Sequence, residues 1–123
     1  FHPSIQPRLE YAQRATAAPA ESPGCAAAER RREGVRRVVG EAMDRLRLDA
    51  LIYPTWSNPP RLIGDLNTPH GDNSQLFSPT TGWPAVQVPM GYTRGTLPAG
   101  LTLFGRAWSE PLLLRLAHGY EQS

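Results

Sequence analysis

Apolar positions follow two different spacings along the chain, and the change comes near residue 50. Across residues 26–46, Val35, Val38, Val39, Ala42, Met43 and Leu46 recur every three or four positions, which aligns them along one side of a helix. Charged residues occupy the other side. There Glu33 precedes Arg37 and Glu41 precedes Arg45 by four, the favourable order for helical ion pairs. Each exposed pair contributes only about 0.3 kcal/mol, so the apolar stripe decides how this helix packs. Residues 50–53 form instead a continuous apolar run closed by Pro54, as expected of a strand covered on both faces. Residues 85–88 and 101–104 are two more strand candidates, separated by the turn-rich stretch 91–98. Helical spacing returns over residues 110–122, where Leu113, Leu116, Ala117 and Tyr120 share a face. Ser109 stands at the capping position and Pro111 in the first turn.

Breakers set the connections. Pro19, Pro23 and Gly24 mark residues 15–24 as a linker after a short helix over residues 6–14. Residues 56–73 read as a long loop broken by Pro59, Pro60, Gly64, Pro69 and Gly71, followed by a helical turn within residues 75–81. Loops of this length are uncommon in compact domains unless they carry function. The order helix, strand, long loop, strand, strand, helix predicts an α/β fold with part of a mixed β-sheet covered by helices. Three short strands make a poor sheet alone, so this sheet is expected to continue into residues outside the chain. On this reading residues 1–24 are an N-terminal helix and linker, and residues 25–123 are an incomplete domain.

Composition narrows the chemistry. The chain has 123 residues, with 40% hydrophobic and 20% charged, a balance that suits a folded chain. No apolar run approaches the roughly 20 residues of a membrane span, and the chain, which begins at Phe1, shows no basic-then-apolar leader within it. The expectation is a processed or clipped piece, with no membrane partner and a cytoplasmic location by default. All 13 basic residues are arginine. That excludes a lysine base, a Schiff-base lysine and a phosphate-cradling P-loop lysine on these residues alone. A net charge of +2 is weak for a nucleic-acid binder. Arg30, Arg31, Arg32, Arg36 and Arg37 interleave with Glu29, Glu33 and Glu41, as on a solvated, ion-paired helix face. Cys25 is the single cysteine, so no internal disulfide forms, and it reads as an ordinary thiol near a helix start. No serine sits in G-x-S-x-G to suggest a triad with His70 or His118, and no second ligand at metal spacing accompanies His70. No metal or cofactor is expected.

Four phrases in order then carry a resemblance. They are Asp49-Ala50-Leu51-Ile52-Tyr53-Pro54-Thr55, the run from Ser78 through Gly82-Trp83-Pro84 to Val88-Pro89-Met90-Gly91, the run from Leu97-Pro98-Ala99-Gly100 to Gly105-Arg106, and Glu110-Pro111-Leu112-Leu113. Together with Tyr120-Glu121-Gln122 they resemble the C-terminal portion of an amidase signature hydrolase, over about residues 48–122. The resemblance implies cleavage of amide C–N bonds by two serines and a lysine, with backbone amides of a Gly/Ser-rich loop stabilising the oxyanion. Lysine and loop lie upstream in such enzymes and have no counterpart in this sequence, so it implies no catalytic residue here and a chain inactive by itself. What remains is a share of the substrate pocket. Asp72 lies ten residues before Gly82, where some relatives place a substrate-contacting acid; Asp72 or Asn73 would then contact a ligand amine or amide. An Asx turn is the other reading of both residues. Trp83 and Trp56 are candidates to line an apolar acyl pocket, or to pack against the core. The implied partners are a small-molecule amide and either a missing N-terminal part or a second copy. The alternative is a non-catalytic binding or structural module of the same fold acting with a partner chain.

Overall fold

The computed structural model describes residues 3, 5–14, 18–69 and 71–123. Contacts divide the chain into two units, Phe1–Glu33 and Gly34–Ser123. In the first unit, helix α1 (Gln6–Gln13) buries none of its residues and is held by local bonds, such as Gln6 Nε2 donating to Glu10 Oε1 at 2.9 Å. The expected linker holds a 3-10 turn, Pro19–Glu21, and ends earlier than its breakers suggest. Pro23 opens helix α2 (Pro23–Arg45) instead of blocking it, because the first turn has no use for its missing N–H. Ser22 caps this helix: its Oγ accepts the Cys25 N–H at 3.4 Å and its carbonyl accepts the Ala26 N–H at 3.0 Å.

The second unit contains the rest of α2, then β1 (Leu51–Pro54), the single turn α3 (Ser78–Thr81), β2 (Ala85–Thr93), β3 (Leu97–Phe104) and α4 (Glu110–Glu121). The α/β class holds. The strand order is β1-β3-β2 and both pairings are antiparallel, so the mixed pairing expected of the sheet is not expressed among these strands. A short reversal explains one of the two. Arg94 and Gly95 both take positive φ, 48° and 85°, and fold β2 back onto β3. Strand β2 also runs on past residue 88, where the sequence pattern ends the candidate strand, and through Pro89. Because β2 is an edge strand, a residue without N–H is tolerated there. The register slips between Pro89 and Gly91, leaving Met90 as the extra residue of a bulge.

Register sorts the side chains onto two faces. Val88, Leu101 and Leu103 share one face and are covered by Leu113 and Ala117 of α4, with Val86 and Ala50 at the margin. Helix α4 lies over β2 and β3, so Ile52 of β1 remains 67% exposed although it pairs with Leu103. Among the described residues the expected two-sided cover of β1 is therefore absent: α4, which covers this face, lies over the other two strands. Ser109 precedes α4, but its hydroxyl donates to Arg106 O at 2.7 Å instead of accepting a helix N–H.

Aromatic rings fill the opposite face. Phe104 is 0% exposed; its ring centroid lies 5.4 Å from Phe77 and 6.0 Å from Trp83, and Phe77 meets Tyr53 edge-on at 5.8 Å. The C-terminal half of α2 passes over this layer. A Cβ on Gly40 would lie 3.5 Å from the Trp83 ring, Arg36 Nε donates to Thr81 O at 2.7 Å, and Arg106 pairs with Asp44 at 2.7 Å. Of the predicted stripe on α2 only Met43 is fully buried, while Val38 and Leu46 are exposed. Arg37 and Glu41 form an exposed i,i+4 pair at 3.3 Å, which contributes little. Desolvation raises the Tyr53 phenol above its ordinary pKa, and no described group hydrogen-bonds its Oη.

Candidate functional site

Strand β1 ends at Pro54, and the chain then makes an excursion whose two limbs are fastened together beside that end. Thr55 N donates to Gly100 O at 2.8 Å, and the Thr55 and Thr102 hydroxyls meet at 2.9 Å inside the sheet. Trp56 forms an isolated antiparallel bridge with Asp72. Ser57 directs both its N–H (2.8 Å) and its Oγ (3.1 Å) to Gly71 O, and Asn58 Nδ2 donates to Pro69 O at 3.2 Å. On the returning limb, Asn73 N reaches Thr55 O at 2.9 Å and Asn73 Nδ2 reaches Pro54 O at 3.0 Å. The result is a compact surface loop whose ends are close, a form frequently used for function.

The predicted site residues therefore divide. Asp72 and Asn73 come together at the C-terminal end of β1, and both side chains also bind backbone. Asp72 Oδ1 accepts the Ser74 N–H at 2.8 Å, an Asx turn, while the Asn73 amide ties the loop to Pro54. Trp83 is not with them. It stacks on Phe104 near the opposite end of β1, about 13 Å away at about 3.3 Å per strand residue. Thr81 Oγ1 accepts the Trp83 N–H at 3.1 Å and Ser78 Oγ donates to Trp83 O at 2.7 Å, which holds the ring in the core layer. His70 lies outside the described residues, and His118 is exposed on α4. Among the described residues no group of three or more His, Cys, Asp or Glu is placed to hold a metal ion.

Beside the fastened limbs lies an open cavity of about 490 Å³, with Pro54, Trp56 and Pro59 on one side and Met90, Pro98 and Ala99 on the other. Of these, the sequence reading names only Trp56 as a candidate pocket residue. Met90 reaches the cavity because of the bulge after Pro89, and the signal for it was the proline inside an apolar run. The outer part of the loop is organised by Asp65, whose Oδ1 accepts the Asn67 N–H at 2.9 Å and the Thr68 N–H at 3.1 Å. Arg61 Nη1 donates to Thr68 O at 3.1 Å. This leaves Leu62, Ile63 and Leu66 in solvent.

Hydrogen bonding from the Thr68 side chain, then from the Thr68 and Asn67 N–H groups, holds the Asp65 carboxyl below its ordinary pKa, with a smaller contribution from Arg61. A depressed carboxylate pKa stabilises the folded loop above the unfolded value, near 4, and that contribution disappears as pH falls through the lower folded value. Hydrogen-exchange protection of Asn67 and Thr68 is thus expected to hold between about pH 5 and 7, apart from the intrinsic exchange rate, and to fall in acid below about pH 4. Asp65→Asn should abolish the acid dependence. Equal acid behaviour in both proteins would remove Asp65 as the organiser.

Comparison with known proteins agrees with this architecture. The family described as Amidase matches residues 1–114, and the chain belongs to that family. The match begins at residue 1 and so reaches further upstream than the phrases recognised in the sequence. The chain is 34% identical over 96 residues to a glutamyl-tRNA(Gln) amidotransferase subunit of Methanosarcina barkeri, covering 72% of this chain and 20% of that protein. A 42-residue stretch is 50% identical to the corresponding subunit of Brevibacillus brevis, covering 34% of this chain and 9% of that protein. The solved native peptide amidase of Stenotrophomonas maltophilia superimposes with a TM-score of 0.65 at 35% identity, over 88% of this chain and 21% of its own. The chain thus spans about a fifth, or less, of the length of these relatives.

Proposed function

We propose that this chain is a C-terminal segment of an amidase that hydrolyses C–N amide bonds, contributing scaffold and one wall of the substrate pocket. The observation that carries this reading is the fastened loop at the open end of β1, which bridges Asp72 to Trp56, a residue of the cavity wall, in a chain of the amidase family. The proton-handling groups belong to residues outside it, since none of its 13 basic residues is a lysine able to act as a neutral base. Edge strands β1 and β2 and the exposed Ile52 support completion of the sheet by further polypeptide.

Ammonia release from carboxamides tests it. The 123-residue chain alone is expected to show background rates. Joined to an amidase segment bearing the lysine and the Gly/Ser-rich loop, it is expected to turn over. In that joined enzyme Asp72→Asn should raise KM at least tenfold, the order expected for loss of a charged hydrogen bond, with a smaller change in kcat. Turnover by the chain alone would overturn the reading, and failure of the joined enzyme would favour a non-catalytic module.

A further inference from the structure

The 490 Å³ cavity beside Trp56 is within the usual size range for small-ligand sites, about 300–1,000 Å³, and its chemistry is one-sided. Pro54, Pro59 and Pro98 are stiff apolar walls, Trp56 supplies an aromatic face and Met90 a polarisable, adjustable one. Three polar side chains share the lining, Ser57, Asn58 and Thr93; Ser57 Oγ donates to Gly71 O and Asn58 Nδ2 to Pro69 O, so both are engaged with the loop backbone. The floor is held by sheet pairing: a Cβ on Gly100 would stand 3.0 Å from Thr55 Oγ1, so β1 and β3 approach closely there. Proline walls and fastened limbs mean that little ordering is needed when a ligand enters. No charged residue among those described lines the cavity, so a charged group entering it would be desolvated without a partner there, which is costly.

From this we infer that the cavity is a substrate subsite of the amidase, and that it takes amides carrying an uncharged arylalkyl or branched-alkyl group while rejecting amides with a charged chain. The inference rests on the amidase reading for the word amide and on the cavity alone for the apolar group. Trp56 and Trp83, both candidates for an acyl pocket in the sequence, lie apart: Trp56 lines this cavity, and Trp83 stacks on Phe104 away from it. Met90 is a specificity residue placed by the bulge.

The test follows the indole N–H resonance of Trp56 in the 123-residue chain, assigned with Trp56→Phe, during titration with four probes. These are 3-phenylpropanamide, 3-phenylpropanol, propanamide and succinamate. The expected result is a saturable Trp56 shift with 3-phenylpropanamide and with 3-phenylpropanol at millimolar concentration. Propanamide and succinamate should bind at least tenfold more weakly. Met90→Glu should weaken the phenyl probes at least fivefold while the Trp83 and Trp108 resonances keep their positions, which shows that the fold is intact; Met90→Leu should retain binding. Equal affinity for propanamide and 3-phenylpropanamide, tight binding of succinamate, or shifts at Trp83 or Trp108 with Trp56 silent would each overturn the inference. The alcohol keeps the two readings apart. If Trp56 responds to 3-phenylpropanol but the joined enzyme never hydrolyses an amide, the apolar subsite stands and the amidase reading falls. If the joined enzyme is active and its Trp56 is silent to every probe, the subsite falls and the amidase reading stands.

Discussion

Phe104→Ala is expected to abolish the cooperative folding of residues 34–123. Phe104 is the fully buried centre of the aromatic layer, placed on the middle strand between Leu51 and Ala85 and against Phe77 and Trp83. Truncating a buried phenylalanine costs about 3–5 kcal/mol, because transfer energy is lost and a cavity remains. A small domain commonly has a stability in the low part of the roughly 5–15 kcal/mol range, and this unit has exposed sheet edges besides. Thermal unfolding followed by near-ultraviolet circular dichroism should lose its sigmoidal transition. Phe104→Leu, which keeps most of the volume, should retain a transition at lower temperature. A fall of only a few degrees for the alanine variant would show that the aromatic layer is not the centre of the core.

Gly71→Ala should produce the opposite pattern, with the core kept and the site lost. Gly71 has φ of +68°, and a Cβ there would lie 2.7 Å from Asn58 N, 2.8 Å from Asn58 Nδ2 and 2.8 Å from Ser57 Oγ. Left-handed backbone alone costs a non-glycine residue on the order of 1 kcal/mol. The overlap adds to it, because the nearest atom is backbone and cannot turn away. The limbs at residues 56–58 and 71–73 are expected to separate, exposing the Ser57 and Asn73 N–H groups that now bond to Gly71 O and Thr55 O. Their hydrogen exchange should quicken by at least tenfold, while Leu103 and Phe104 in β3 stay protected. The Trp56 response to 3-phenylpropanol should weaken in parallel. Retained protection at Ser57 and Asn73 would mean that the loop absorbs the methyl group and that Gly71 is not its fastening point.

These two results locate what the linear pattern can convey. The apolar run at residues 50–53 and the short strand-forming stretch at residues 101–104 mark strands because breakers bound them and they are too short for helices, and β1 and β3 lie there. The 3.6-residue spacing in residues 110–122 likewise predicts the face on which Leu113 and Ala117 are buried. Strand ends were harder to place. Pro89 and Pro98 look like terminators locally, yet both lie within strands, one at a bulge and one near a strand start. The excursion after β1 was recognisable as a long loop with Asp72 and Asn73 in it. Its fastening was not, because Ser57 and Gly71, fourteen positions apart, show no pattern that announces their hydrogen bond.

Local physical chemistry within the sequence alone determined the α/β class, the helices, the three strand cores and the lack of any lysine for catalysis. Those follow from side-chain spacing, turn residues and composition, which act between near neighbours or on the chain as a whole. Only the tertiary structure decided that the sheet has β3 at its centre, that Ile52 is left exposed, that Trp83 stacks on Phe104 and that Trp56 and Met90 share a cavity. Each of these depends on residues far apart in sequence meeting across a strand pair, a bulge or a loop closure. Such meetings are set by long-range packing and by backbone hydrogen bonds that almost every residue type can make.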